Sequence, residues 1–160
     1  MGLPFLVARG LPWGGESRNA HSHMTPAERL ALLEGAWHLV RVIRHSDGTR
    51  ARFVGHAVWL AEGPVLRCRE DGVLTQAGRT MPATRETLWR ADATRLHVAF
   101  RDGRPFHSFE PLARIRASHD CPPDTYRLSY DFTAFPRWIV RWDVSGPRKS
   151  YRALTRYRSA

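Results

Sequence analysis

The sequence predicts an all-β protein: an antiparallel up-and-down β-barrel of about eight to ten strands, with one short N-terminal helix. Three observations lead there. Only one segment of the 160 residues carries a helical hydrophobic period, and it is short. After Gly35 the chain becomes a series of period-2 segments broken by Gly, Pro and Asp turn signals, with connectors too short for crossover helices. The last three of these segments sort cleanly, with aromatic residues on one face and charged residues on the other. A long meander must bury one face and dispose of its edges, and closing into a barrel does both.

In chain order, residues 1–23 are rich in Gly, Pro, Ser, Asn and His and read as a disordered extension. The single domain then runs over 24–160. It opens with "TPAERLALLEG": Thr25 as N-cap, Pro26 at the first helical position, Glu28 completing a capping box and Gly35 as the left-handed stop. Leu30, Leu33 and Leu32 supply the apolar side. "WHLVRVIRH" turns at Asp47-Gly48 into "RARFVGHAVWLAE". "GPVLRCRED", "VLTQAG", "TRETLWRAD", "RLHVAFR", "PFHSFE", "LARIRASH", "TYRLSYDFT", "RWIVRWDV" and "KSYRALTRYR" follow. Period 2 sends Tyr126, Leu128, Tyr130, Phe132, Trp138, Val140, Trp142 and Val144 inward, then Tyr151, Ala153, Thr155 and Tyr157. The earlier strands add Trp37, Leu39, Ile43, Phe53, Ala57, Trp59, Leu96, Val98 and Phe100. Gly55 among them allows a close backbone approach or a sharp bend.

The formal charge is +10, and 24 of the 25 basic residues are Arg; Lys149 is the only Lys. Such a balance suits phosphate or other acidic partners, yet the arginines are spread along the chain and read first as ordinary surface residues. Nucleic-acid binding is disfavoured, because stacking platforms need aromatics and cations on one surface and here they sort to opposite faces. No window reaches the roughly 20 apolar residues of a membrane span, so no membrane partner is expected. The N-terminus lacks the features of a signal peptide, and Leu6 occupies the Ser/Thr position of a myristoylation site. Two cysteines do not make a disulfide framework, which points to the cytoplasm.

"LEGAW", Leu33 to Trp37, resembles the Gly-x-Trp opening of the calycin and lipocalin-like superfamily, where the Trp closes the barrel floor. That resemblance implies a calycin-like barrel, with Arg156 or Arg158 from the last strand as a cation–π partner for Trp37. A likeness covering residues 30–158 goes further: "LEGAW", "DGRPFH", "SHDCPPDTY" and "GPRKSY" together resemble a bacterial family of uncharacterised domain-of-unknown-function proteins. It implies the barrel and no established activity.

Buried Tyr hydroxyls and Trp N–H groups need partners. Four Tyr and two Trp converge on three adjacent strands, so a small-molecule ligand is the expected partner. The candidate ligand-binding residues are Tyr126, Tyr130, Trp138, Trp142 and Tyr151, with His107, His119 and Lys149 as polar anchors for a partly apolar, anionic molecule. "SHDCPPDTY" combines His119, Cys121 and Asp124, but zinc would want more ligands. Pro122-Pro123 reads as a rigid corner, with His119 facing inward and no metal expected. His56 and His97 read as outward. Inward parity reaches Glu70, for which Arg85 or Lys149 is the partner. An isomerase, cyclase or hydrolase using His107, His119, Glu70, Asp124 and Tyr side chains is the alternative, with no catalytic residue singled out. No nucleophile elbow, P-loop or dinucleotide fingerprint is present. A second alternative is haem or tetrapyrrole binding through a His ligand, with Arg or Lys at the propionates. Cofactor identity and oligomeric state are not legible.

Overall fold

A computed structural model describes residues 23–160. The expectation of a disordered extension falls, but for His23, outside the described residues. Helix α1 (Pro26–Leu33) starts at the predicted capping box: Thr25 accepts from the Glu28 N–H, and the Glu28 carboxylate accepts from the Thr25 N–H. Leu33 is buried and Leu30 packs on the core, whereas Leu32 is exposed. Arg29 turns inward in its place.

Ten strands follow: β1 (Gly35–His45), β2 (Arg50–Glu62), β3 (Val65–Gln76), β4 (Arg79–Ala91), β5 (Leu96–Phe100), β6 (Pro105–Phe109), β7 (Arg114–Cys121), β8 (Asp124–Asp131), β9 (Trp138–Ser145) and β10 (Ser150–Ser159). They form one antiparallel sheet in the order β6-β5-β4-β3-β2-β1-β10-β9-β8-β7. The first and last strands pair (Trp37 opposite Ser159 through His45 opposite Tyr151), which joins the two halves of the meander. β6 and β7 touch without a hydrogen-bonded ladder, so the barrel is nearly closed rather than sealed. β6 is short, and it begins at Pro105, which has no N–H to donate. The two prolines of "CPPD" make the tight corner expected of them: Pro122 and Pro123 form the turn, and Cys121 pairs with Asp124 across the β7–β8 hairpin.

Inward residues form one aromatic core in which Trp59, Trp138, Phe109 and Leu39 are almost fully buried. Gly55 lies opposite Gly72, and the two strands approach so closely that a Cβ on Gly55 would collide with the Asp71 carbonyl oxygen. One implication of the calycin resemblance needs correcting. Neither Arg156 nor Arg158 covers Trp37, because alternation along β10 turns both to the outer face. Trp37 instead packs edge-on against Phe135 and Trp138 and donates its indole N–H to the Leu33 carbonyl. The cation at this end comes from α1: the Arg29 guanidinium lies 4.3 Å from the centre of the Phe132 ring.

Candidate functional site

The inner face of β1 runs Trp37, Leu39, Arg41, Ile43, His45, and that of β3 runs Cys68, Glu70, Gly72. Parity therefore buries a cation and an anion at one level of the barrel. Arg41 donates through Nη2 to both carboxylate oxygens of Glu70, at 2.9 Å each, and through Nε to the Thr155 hydroxyl. Arg85 on β4, in register with Glu70, donates at 3.0 Å, and the Tyr157 hydroxyl donates at 2.8 Å. Four donor contacts thus satisfy a carboxylate that is only 1% exposed. Burial by itself would raise the Glu70 pKa, but Arg85, Arg41 and the Tyr157 hydroxyl hold it down at about 2. Burial likewise works against charge on Arg85, and Glu70 beside it more than offsets this. The cluster carries two cations and one anion.

Above it lies a cavity of about 250 Å³ at the open end of the barrel, lined by Arg41, Arg85, His45, Trp142, Tyr151 and Leu74 among others. Arg85 stacks 4.7 Å from the Trp142 ring centre, and Arg41 lies 5.7 Å from that of Phe53. Only Nη2 of Arg85 is engaged with Glu70. Its Nε and Nη1 have no protein partner among the described residues, and its side chain is about a third exposed. Guanidinium edges and aromatic faces together make a surface for a flat or small anion.

The eight residues expected from the sequence fall into three groups. Trp142 and Tyr151 wall the cavity. Tyr126 and Lys149 stand beside it: Lys149 Nζ lies 3.4 Å from the Tyr126 hydroxyl and 3.3 Å from Asp124, and the hydroxyl, then Asp124, raise its pKa. Tyr126 packs on Trp142, and His119 behind it packs on Phe100 and Phe106, with its Nε2 buried and unpartnered. The remaining three lie deeper. His107 and the Tyr130 hydroxyl are 2.7 Å apart, stacked with Phe109 inside the core. Burial, Arg85 and His119 push the His107 pKa down to about 3, and burial pushes that of Tyr130 up. Trp138 lies at the plugged end, stacked 3.9 Å from Tyr157.

Arg85 is the partner of Glu70, and Lys149 is not: the hairpin before β10 directs it to Asp124 instead. Arg41 and His45 were not singled out from the sequence. Their signal was there, since the inward series through Trp37, Leu39 and Ile43 passes through Arg41 and ends on His45. Cys68 is buried and its thiol pKa is raised by that burial; Cys121 is exposed.

Residues 33–159 match the model of a family of unknown function, DUF6314. The chain belongs to this family. Its barrel is similar to that of the S-type phycobiliprotein lyase CPES from Guillardia theta, with a TM-score of 0.65 over 86% of this chain and 93% of that one. The two sequences are 8% identical, so the likeness is one of fold. No curated protein is similar to the chain in sequence. Family and fold agree with the resemblance carried by "LEGAW" and "GPRKSY". Among the described residues, no helix is long and apolar enough to cross a membrane.

Proposed function

We propose that the open end of the barrel binds a small, partly apolar, anionic ligand. The observation that carries this reading is the pair of arginines on a single buried carboxylate at the base of an aromatic-walled cavity. A purely structural cluster would balance its charge. This one keeps a net positive charge and unused guanidinium N–H groups, which favour a carboxylate, phosphate or sulfonate. Trp142 and Tyr151 would cover the apolar part of the ligand, at roughly 25 cal/mol per Å² of apolar area removed from water. Tyr126 and Lys149 would form the rim. His107, Tyr130 and Trp138 would act from behind, holding the ring wall in place.

A tetrapyrrole ligand is the second reading, supported by the likeness to a phycobiliprotein lyase. Its carboxylates would meet Arg41 and Arg85, and its body would have to extend beyond the 250 Å³ cavity, past Tyr126 and Lys149. Acid–base catalysis has less support: His107 and Tyr130 have pKa values displaced away from neutrality, opposite to what a general acid or base needs. The free cysteines, one of them exposed, support a cytoplasmic setting.

Native mass spectrometry and an absorption spectrum of freshly purified protein, followed by a thermal-shift panel of small aromatic carboxylates and phosphates, test the reading. Added mass or stabilisation by such anions supports it. A visible band would select the tetrapyrrole. A bare mass with no response to any anion would contradict both.

A further inference from the structure

We propose that the outer face of β7, β8, β9, β10 and β1 is a docking surface for an acidic amphipathic helix of a partner protein. The strand register places its residues in rows across the sheet. One row runs Arg50, Arg44, Arg152, Asp143, Arg127 from β2 to β8. The next runs Val42, Leu154, Arg141, Ser129, Arg116 from β1 to β7. Like charges directly opposite one another destabilise a sheet, and here three arginines stand side by side on adjacent strands. Asp143 is the single acid lining the concavity and is engaged with Arg152 at 3.1 Å. Arg44, Arg116, Arg127, Arg141 and Arg156 are exposed, with no carboxylate in salt-bridge range among the described residues.

An Arg-rich composition does not account for this, because the same chain neutralises its arginines elsewhere. On the outer face of β3 and β4, Arg67 pairs with Glu62 and Glu86, and Arg69 with Asp71 and Glu86. The unpaired arginines surround a concavity of about 830 Å³ whose floor is Val42 and Leu154. Val42 and Leu154 are neighbours on β1 and β10, with Arg44, Arg152 and Arg156 before and after them along the strands and Arg141 beside Leu154 on β9. A helix with side chains, about 10–12 Å across, covers two to three strands at roughly 4.8 Å each.

Charge and floor together select the occupant. A second copy of this chain, at +10, would be repelled. Nucleic acid would match the charge, but Trp142, the aromatic residue lining this concavity, turns its ring to the inner cavity, and no other Phe, Tyr or Trp lines it for bases to stack on. An apolar floor ringed by cations suits a helix with a Leu or Ile stripe flanked by Asp and Glu, docked by its apolar face with Arg forks on its carboxylates.

The test is fluorescence anisotropy with a labelled amphipathic Leu/Glu peptide, a Leu/Lys peptide of the same pattern, and duplex RNA, at low and physiological salt. The Leu/Glu peptide should bind in a salt-dependent manner and the Leu/Lys peptide should not. R127E/R141E should weaken binding about tenfold or more, and R79E/R101E, with the same change in net charge away from the groove, less than about threefold. Thermal melts of both variants should match the parent. Failure of the parent to bind the Leu/Glu peptide, equal losses in the two variants, or tighter binding of RNA through Arg127 and Arg141 would overturn the proposal.

Discussion

At one end of the barrel Trp37, Trp59, Trp138 and Tyr157 close on one another beneath α1. At the other, Glu70, Arg41 and Arg85 sit under an opening walled by Trp142 and Tyr151. Both ends must keep water out of a ten-stranded barrel, and only the first does so by apolar burial. Aromatic packing at the plug stabilises the fold directly. A buried carboxylate with two guanidinium groups gives weak net stability, since desolvation of the charges opposes their attraction. The difference teaches that the plugged end is built for stability, whereas the open end keeps buried charge that stability alone does not require.

Substitutions should separate the two ends. Trp59→Ala at the plug should cost the most, about 4 kcal/mol by chemical denaturation, because it leaves a cavity among the rings of Trp89, Trp138 and Tyr157. A cost below about 1 kcal/mol would mean that the plug can collapse around the gap. Glu70→Gln should come next at about 3 kcal/mol, because it leaves Arg41 and Arg85 facing each other without a full counter-charge. If it proves neutral, the cluster is solvated and the open end is not a built site.

Acid should reveal the layer between the ends. His107 is held neutral, with a pKa of about 3 against an ordinary 6.5. Unfolding therefore takes up a proton below pH 6.5, and stability should fall by about 2 kcal/mol between pH 6.5 and 5. Glu70, held at about 2 against 4.5, keeps its contribution above pH 4.5 and loses it as the pH falls toward 2. His107→Phe should flatten the upper part of the acid limb and leave the lower part, as read by urea midpoints across that range. An unchanged profile would place the titration in other histidines. Lys149→Met should have the smallest effect: no measurable change in melting temperature and no more than about a threefold loss of anion affinity, since its ion pair with Asp124 is exposed.

Much of this was legible in the sequence, for a physical reason. Alternation with period 2 fixes the face of every residue once a strand is identified, and the turn signals at Asp47-Gly48 and Pro122-Pro123 bound the strands well. The capping box at Thr25 is likewise a local fact, and Gly55 signals a close approach by its missing side chain, though not the strand it approaches. What escaped is non-local. Arg41 sits within an apolar inward series, and a lone cation there is discounted unless its partner 29 residues away is known to lie beside it. The register that stacks Arg50, Arg44 and Arg152 joins strands from opposite ends of the chain. Trp138, Tyr130 and His107 face inward as read, but parity gives the face and not the depth.

The most direct measurement of the central claim is titration of the protein with 1-anilinonaphthalene-8-sulfonate, an aromatic anion of the proposed class, in parent and Arg85→Met proteins. Arg41 Nη2 keeps its contacts to both Glu70 oxygens in the variant, so the barrel should persist, as checked by its melting temperature. Saturable binding to one site in the parent, weakened about tenfold or more in Arg85→Met, is the predicted result. Equal binding by the two folded proteins, or none by the parent, would contradict an anion site at the open end.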